Sequence, residues 1–240
     1  DGGKSWVIKT GWEITEVQKI TLDPVNPRIL YIATPYGVWK STDGGETWTK
    51  KNNGLREVQD TFITSVVVDR PRTSRVLIST ENGVFESIDR GESWHGLALQ
   101  GKAIRKLIDS PKSSSVLLAG TEDDGVFKST DGGKTWREMN TGLEHKTIYA
   151  LAFDPGNPEI HYVGGYQSGV CKSSDGGESW KRVSQGLTNL DIHAIAVSPT
   201  DSNVIFAAAV GGGVFRSDDG AQSWRPIGLE SCQVWDLQIY

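Results

Sequence analysis

Cysteine occurs only twice in these 240 residues, at Cys171 and Cys232, and methionine once. Two cysteines cannot make a disulfide framework, so the chain has to build its own core. Cys171 replaces the aromatic residue of related GVFKS-type segments, which predicts a buried thiol. The four histidines, His95, His145, His161 and His193, are scattered, so no metal-ligand spacing is present and neither metal nor cofactor is expected. Basic excess is lacking too. With 25 Lys and Arg against 30 Asp and Glu, the net charge is −5, which excludes a general nucleic-acid or anionic-membrane binder. The longest apolar run, residues 204–210, is too short to span a bilayer, so no membrane insertion is expected. Gly211, Gly212 and Gly213 lead into a strand pattern rather than a helix, which excludes a phosphate loop.

What the chain does have is one phrase written over and over. STDGGETW (41–48), SIDRGESW (87–94), STDGGKTW (129–136), SSDGGESW (173–180) and SDDGAQSW (217–224) are full copies, and DGGKSW (1–6) is a clipped one. Their tryptophans fall at 6, 48, 94, 136, 180 and 224, in steps of 42 to 46 residues. A fixed period of this size signals a repeat architecture. Within one unit, residues 148–154 alternate as an inner strand, 159–165 form a second and 169–173 a third. A tight turn at 174–177 then leads into a fourth strand, 178–183. Four short antiparallel strands per period predict an all-β fold of propeller blades, with strands A to D from the axis outward. In each turn the Asp accepts backbone N–H bonds and the glycines take positive φ. The Trp buries its ring between neighbouring blades. Ala221, in place of a glycine, predicts a slightly altered last turn.

Strand A is expected at 14–22, 61–69, 103–109, 147–154 and 191–197, giving five complete blades. A lone D strand is expected at 4–9 and a lone A strand at 232–240, as two partial blades. The expected organisation is therefore a single β-propeller domain over 1–240, cut within a blade at both ends. The parent is read as a longer, seven-bladed propeller, with a six-bladed ring as the alternative.

The repeated phrase resembles the Asp-box, S-x-D-x-G-x-[ST]-W, and the resemblance covers essentially the whole chain. Families that carry it include bacterial sialidases, xyloglucan-cleaving glycoside hydrolases, sortilin-type receptors and Ycf48-type photosystem II assembly factors. The resemblance implies a structural turn on the rim of a BNR-like propeller and an extracytoplasmic location. It leaves function open. A sialidase would carry an Arg-Ile-Pro segment, whereas this chain has Arg225-Pro226-Ile227. A xyloglucan hydrolase would carry an acid in a Thr-Asp-x-Gly-Gly loop, whereas the matching loop here is Thr34-Pro35-Tyr36-Gly37. The loop Thr121-Glu122-Asp123-Asp124-Gly125 has acids, but no partner across the channel is identifiable.

Repeats supply their own comparison. One strand-A column reads Val17, Ile63, Ile104, Ile148, Ile192 and Val234, and another reads Ile20, Val66, Leu107, Leu151, Ile195 and Leu237. Both are predicted core. The column between them differs in every blade: Gln18, Thr64, Arg105, Tyr149, His193, Trp235. These residues, with Tyr36, Asp123, Asp124 and Tyr166 from the B–C loops, occupy the face opposite the repeated turns. Loops on a rigid scaffold commonly carry binding residues. Arg105, Tyr149, His193 and Trp235 are taken as the centre of a binding face, with Tyr36, Asp123, Asp124 and Tyr166 around it and no catalytic residue. The expected function is a non-enzymatic scaffold that docks a protein or peptide. The alternatives are a propeller that binds or cleaves glycans, stacking sugars on Tyr36, Tyr166 and Trp235, and a structural subunit of a larger assembly.

Overall fold

The computed structural model describes residues 4–239. Apart from one helical turn these residues form strands and tight turns, in two compact units that divide between Gln100 and Gly101. The first unit holds two four-stranded sheets. One is β1 (Lys19–Leu22), β2 (Leu30–Thr34), β3 (Gly37–Ser41) and β4 (Thr49–Lys50). After the helical turn α1 (Val58–Thr61) comes the second, β5 (Ile63–Val68), β6 (Val76–Thr80), β7 (Gly83–Ser87) and β8 (His95–Ala98). The second unit holds three. They are β9 (Ile104–Ser110) to β12 (Arg137–Glu138) through β10 (Ser113–Thr121) and β11 (Val126–Ser129); β13 (Ile148–Phe153) to β16 (Lys181–Arg182) through β14 (His161–Gly165) and β15 (Gly169–Ser173); and β17 (Ile192–Val197) to β20 (Arg225–Gly228) through β18 (Ile205–Ala209) and β19 (Gly213–Ser217). Every sheet is an antiparallel meander in chain order, the topology of a propeller blade.

Burial explains the composition of each strand. The inner strands β5, β13 and β17 are buried on both faces except at their second residue, so they read as nearly continuous Ile, Val, Ala and Leu. The outer strands β4, β12 and β16 are two residues long, exposed and polar or charged, which keeps an open sheet edge from pairing with another chain. Within a unit, each core lies between consecutive sheets. Tyr31, Ala33 and Val38 pack with Val66, Val68, Phe85 and Trp94. Leu118, Val126 and Met139 pack with Leu151, Phe153, Cys171 and Trp180. Ala150, Tyr162 and Val170 pack with Ile195, Val197, Phe215 and Trp224.

The repeated turn is the same in all five copies. In the first, Ser41 Oγ donates to Asp43 Oδ1 at 2.7 Å and accepts from Gly45 N at 2.9 Å, while Thr47 donates its amide and hydroxyl to the same carboxylate. Ala221 does not alter the last turn, contrary to the expectation. It adopts φ 73° and donates to Ser217 Oγ at 2.9 Å, as its glycine counterparts do. Alanine tolerates the left-handed region at a cost of about 1 kcal/mol. The Trp Nε1 atoms join sheets: Trp94 donates to Lys51 O, Trp180 to Met139 O and Trp224 to Val183 O, at 2.7–2.8 Å. Trp136 instead donates to Gly133 O within its own turn.

The chain ends depart from the expected strands. Residues 4–9 form no strand, and the first inner strand covers only Lys19–Leu22 rather than 14–22. Glu16, at φ 53°, bends the chain before it. At the other end, the described part of 232–240 makes one isolated bridge, Val210 to Gln233. Asp1, Gly2, Gly3 and Tyr240, which belong to the clipped phrase and the final expected strand, lie outside the described residues. The first segment nevertheless keeps its register. Lys9 O accepts from Trp48 Nε1 at 3.0 Å, and Lys9 lies three residues after Trp6, as Lys51, Met139 and Val183 do after their tryptophans. The predicted core columns hold inside the blades, where Ile63, Ile104, Ile148 and Ile192 are fully buried, but Val17 and Ile20 are exposed.

Candidate binding face

Each inner strand after β1 carries one residue more than its partner needs. In the third blade Gly120 faces Lys106 and Thr121 faces Ile104, so Arg105 has no opposite residue. In the fourth, Ile148 faces Gly165 and Ala150 faces Gly164, which leaves Tyr149 over. In the fifth, Ile192 faces Ala209 and Ala194 faces Ala208, which leaves His193 over. Thr64 is the same residue in the first unit. At Thr64, Arg105, Tyr149 and His193, though not at Gln18 or Trp235, the variable column of the sequence is thus a column of β-bulges, which re-aim the extra side chain. Small residues on the facing strand permit this. A Cβ on Gly165 would lie 1.8 Å from Thr147 O, at the start of the fourth inner strand.

In the second unit the bulges produce a row. Tyr149 and His193 stack with centroids 4.3 Å apart and planes 23° apart. His193 meets Trp235 edge-on at 4.8 Å and 88°. Arg105 is ion-paired through Nε with Glu122. Burial pushes the Tyr149 hydroxyl above its ordinary pKa, and the nearby carboxylates of Glu122, Asp191 and Asp123 add to the shift against Arg105. Burial pulls His193 below the ordinary imidazole range although Asp191 opposes it, so the ring is neutral at pH 7.

Loop residues fix the surroundings. Asp191 Oδ1 accepts from Gln167 N at 2.7 Å, and Asp191 N donates to Asn189 Oδ1 at 2.8 Å. Gln167 sits at φ 51° and donates from Nε2 to the Tyr166 hydroxyl at 3.2 Å. Tyr166 is half exposed. Asp124 pairs with Lys102 at 3.0 Å, and its amide donates to Thr121 Oγ1. Asp123 is exposed. Lys106 pairs with Asp236 at 3.5 Å, beside Trp235.

The structure therefore brings together Arg105, Tyr149, His193 and Trp235, with carboxylates near them. Tyr36 belongs to the first unit, where its hydroxyl donates to Glu16 Oε1 at 3.3 Å. The sequence reading missed Asp191, and it missed Glu122 as the partner of Arg105. The only signal for either was an acid at the start of strand A or in the B–C loop. It also missed Asp60 of α1. There burial opposes, but hydrogen bonds from Asn82 and from the amides of Glu57 and Arg56 prevail and hold the carboxyl below its ordinary range.

A family model described as photosynthesis system II assembly factor YCF48 matches residues 92–233. That span includes Arg105, Tyr149 and His193 and ends two residues before Trp235. No curated protein matches the sequence. Among solved structures the chain is similar to an ancestral GH74 enzyme, at 23% identity and TM-score 0.76, over 91% of this chain and 32% of that one. It is similar to the GH74 xyloglucanase of Xanthomonas campestris at 20% and 0.68, over 86% and 38%. It is also similar to a structure of YCF48 bound to D1 peptide, at 15% and 0.64, over 87% and 65%. The chain thus spans about a third of the two GH74 proteins and about two thirds of the peptide-bound protein. At these identities the likenesses show a shared fold.

Proposed function

We propose, on the premise that this chain belongs to the photosynthesis system II assembly factor YCF48 family, that it is a non-enzymatic scaffold docking a protein or peptide partner. The carrying observation is the row Arg105, Tyr149, His193 and Trp235, the first three held at bulges of inner strands, with two aromatic rings stacked and a third edge-on. Aromatic and Arg side chains are the usual energetic anchors of interfaces. The peptide-bound YCF48 structure supports a peptide as the class of partner. Among the described residues no helix is long and apolar enough to cross a membrane, and the family resemblance supports an extracytoplasmic setting.

The test is an array of tiled peptides from the exported proteins of the source organism, followed by titration of each hit. Tyr149→Ala and Trp235→Ala should each weaken binding at least about tenfold while leaving the melting temperature near that of the parent. Hits that bind both variants unchanged, but are lost on substituting Arg216 or Arg225 beside the last repeated turn, would overturn the assignment of the face. A second reading, glycan binding, is favoured by the exposed rings of Tyr166 and Trp235 together with Asp123. A glycan array would decide for it if oligosaccharides, and no peptides, bind in a Trp235-dependent way.

A further inference from the structure

The charges around the aromatic row do not balance. Among the described residues the carboxylates placed beside the row are Glu122, Asp123, Asp124, Asp191 and Asp236. Three of them have a basic partner, Glu122 with Arg105, Asp124 with Lys102 and Asp236 with Lys106. Asp123 and Asp191 form no ion pair among the described residues. Asp191 instead spends one oxygen on the Gln167 amide, and Asp123 stands exposed. The ring of His193 is neutral and adds no compensating charge. Of the rings, Trp235 is 60% exposed and Tyr166 50%, and Tyr149 is partly open beside them. An aromatic face carries negative quadrupole density, and a carboxylate next to it adds to the same attraction for a cation. An anionic group brought here would meet two uncompensated carboxylates, and a purely apolar one would cover them without compensation.

We propose that the row receives a cationic side chain of the partner, a lysine or arginine lying on the exposed ring of Trp235 and against the open part of Tyr149, with Asp123 beside its charge. This deepens the docking reading and rests on it. Arg105 is not the recognising charge in this arrangement, since Glu122 already occupies it. Its ion pair supports the loop that carries Asp123 and Asp124.

The experiment compares N-acetyl-arginine amide with N-acetyl-citrulline amide, which is nearly the same shape without the charge. Each is titrated into the full chain while the indole N–H resonance of Trp235 is followed by NMR. The arginine probe should bind at least about threefold tighter than the citrulline probe, a ratio set by an exposed cation–π contact. The ratio should fall toward one in Asp123→Asn, an exposed position whose amide leaves the fold intact. Equal affinity of the two probes in the parent chain, an unchanged ratio in the variant, or no movement of the Trp235 resonance with either probe would overturn the proposal. Array peptides without Lys or Arg that bind in a Tyr149- and Trp235-dependent way would also overturn it, and would leave the docking reading standing. Loss of that dependence would remove both.

Discussion

Cys171 lies on β15 at the position where β3 carries Trp39, β7 Phe85, β11 Phe127 and β19 Phe215. Comparison of the repeats identified it as a core position, and the residue is 5% exposed between two sheets. Burial pushes its thiol up to about 11, so almost no thiolate is present at neutral pH. Cys232 is exposed. Native protein should therefore react with one equivalent of a thiol reagent such as Ellman's, at Cys232. A second equivalent should appear only in denaturant. Rapid reaction of both thiols in the native state would show that the sheet around β15 opens far more readily than its packing implies. The position was legible because a column of large apolar residues tolerates a small apolar one. By contrast, nothing at the residue level distinguishes Ala221, whose left-handed backbone is imposed by the hydrogen bonds of its turn rather than by its own preference.

Among the elements, inner strands could be read from the alternation of apolar residues, since both faces are buried and each position has a fixed partner. The bulges could not. A bulge depends on what lies across the ladder, namely Gly120, Gly164 and Gly165, or Ala208 and Ala209, and those residues are about fifteen positions away in sequence. The sequence showed only that Arg105, Tyr149 and His193 differ where their neighbours agree. A second repeated device also lay half visible, in the Gly-Leu pairs that follow the outer strands. Leu55, Leu143 and Leu187 pack against the cores. The glycine before each passes under the backbone of the next repeated tryptophan, whose amide donates to the residue preceding that glycine. A Cβ on Gly186, at φ 92°, would lie 2.1 Å from Trp224 O. Gly211 in the same unit also has positive φ, at 76°, but nothing within 4 Å of a Cβ. Gly186→Ala should cost about 3 kcal/mol, combining backbone strain and a clash with main chain that cannot rotate away. Gly211→Ala should cost about 1 kcal/mol, for the backbone alone. Chemical denaturation of the two variants measures the difference. Equal losses would mean that the close approach under Trp224 is not a constraint.

At the scale of the whole molecule the fold was legible because one turn is repeated in every blade, and the candidate site was only half legible because it lies where the repetition breaks. The same repetition gives the chain a collective response to acid. Hydroxyl and amide donors of Thr47 and Ser41 hold Asp43 far below its ordinary pKa, and equivalent donors do so for Asp131 and Asp175. Asp219 is held at about 2 by Ser223 and Ser217. In Asp89 burial opposes the shift, but the hydroxyls of Ser87 and Ser93 and their neighbouring amides bring it to about 2. In each case the folded value lies below the 3.8 of the unfolded chain, so the unfolded state takes up protons first as pH falls. The stabilising contribution is therefore complete above about pH 5 and is lost as pH drops through 4 toward the folded values. His161 and His193, which burial holds below the ordinary imidazole range, also destabilise the fold as pH falls, but they do so equally in the parent and in a variant of one turn. Asp175→Asn keeps the shape of the side chain but cannot accept from both the Ser179 hydroxyl and amide while also accepting from Ser173. It should melt below the parent at pH 6, and the gap should begin to narrow below about pH 4.5 and keep narrowing through pH 2.5, as the unfolded parent takes up the proton before the folded one does. A gap of constant size over that range would show that the aspartate holds its turn through shape rather than through charge. The acid sensitivity of the parent would then have to come from other groups, the buried His161 and the hydrogen-bonded Asp60 among them.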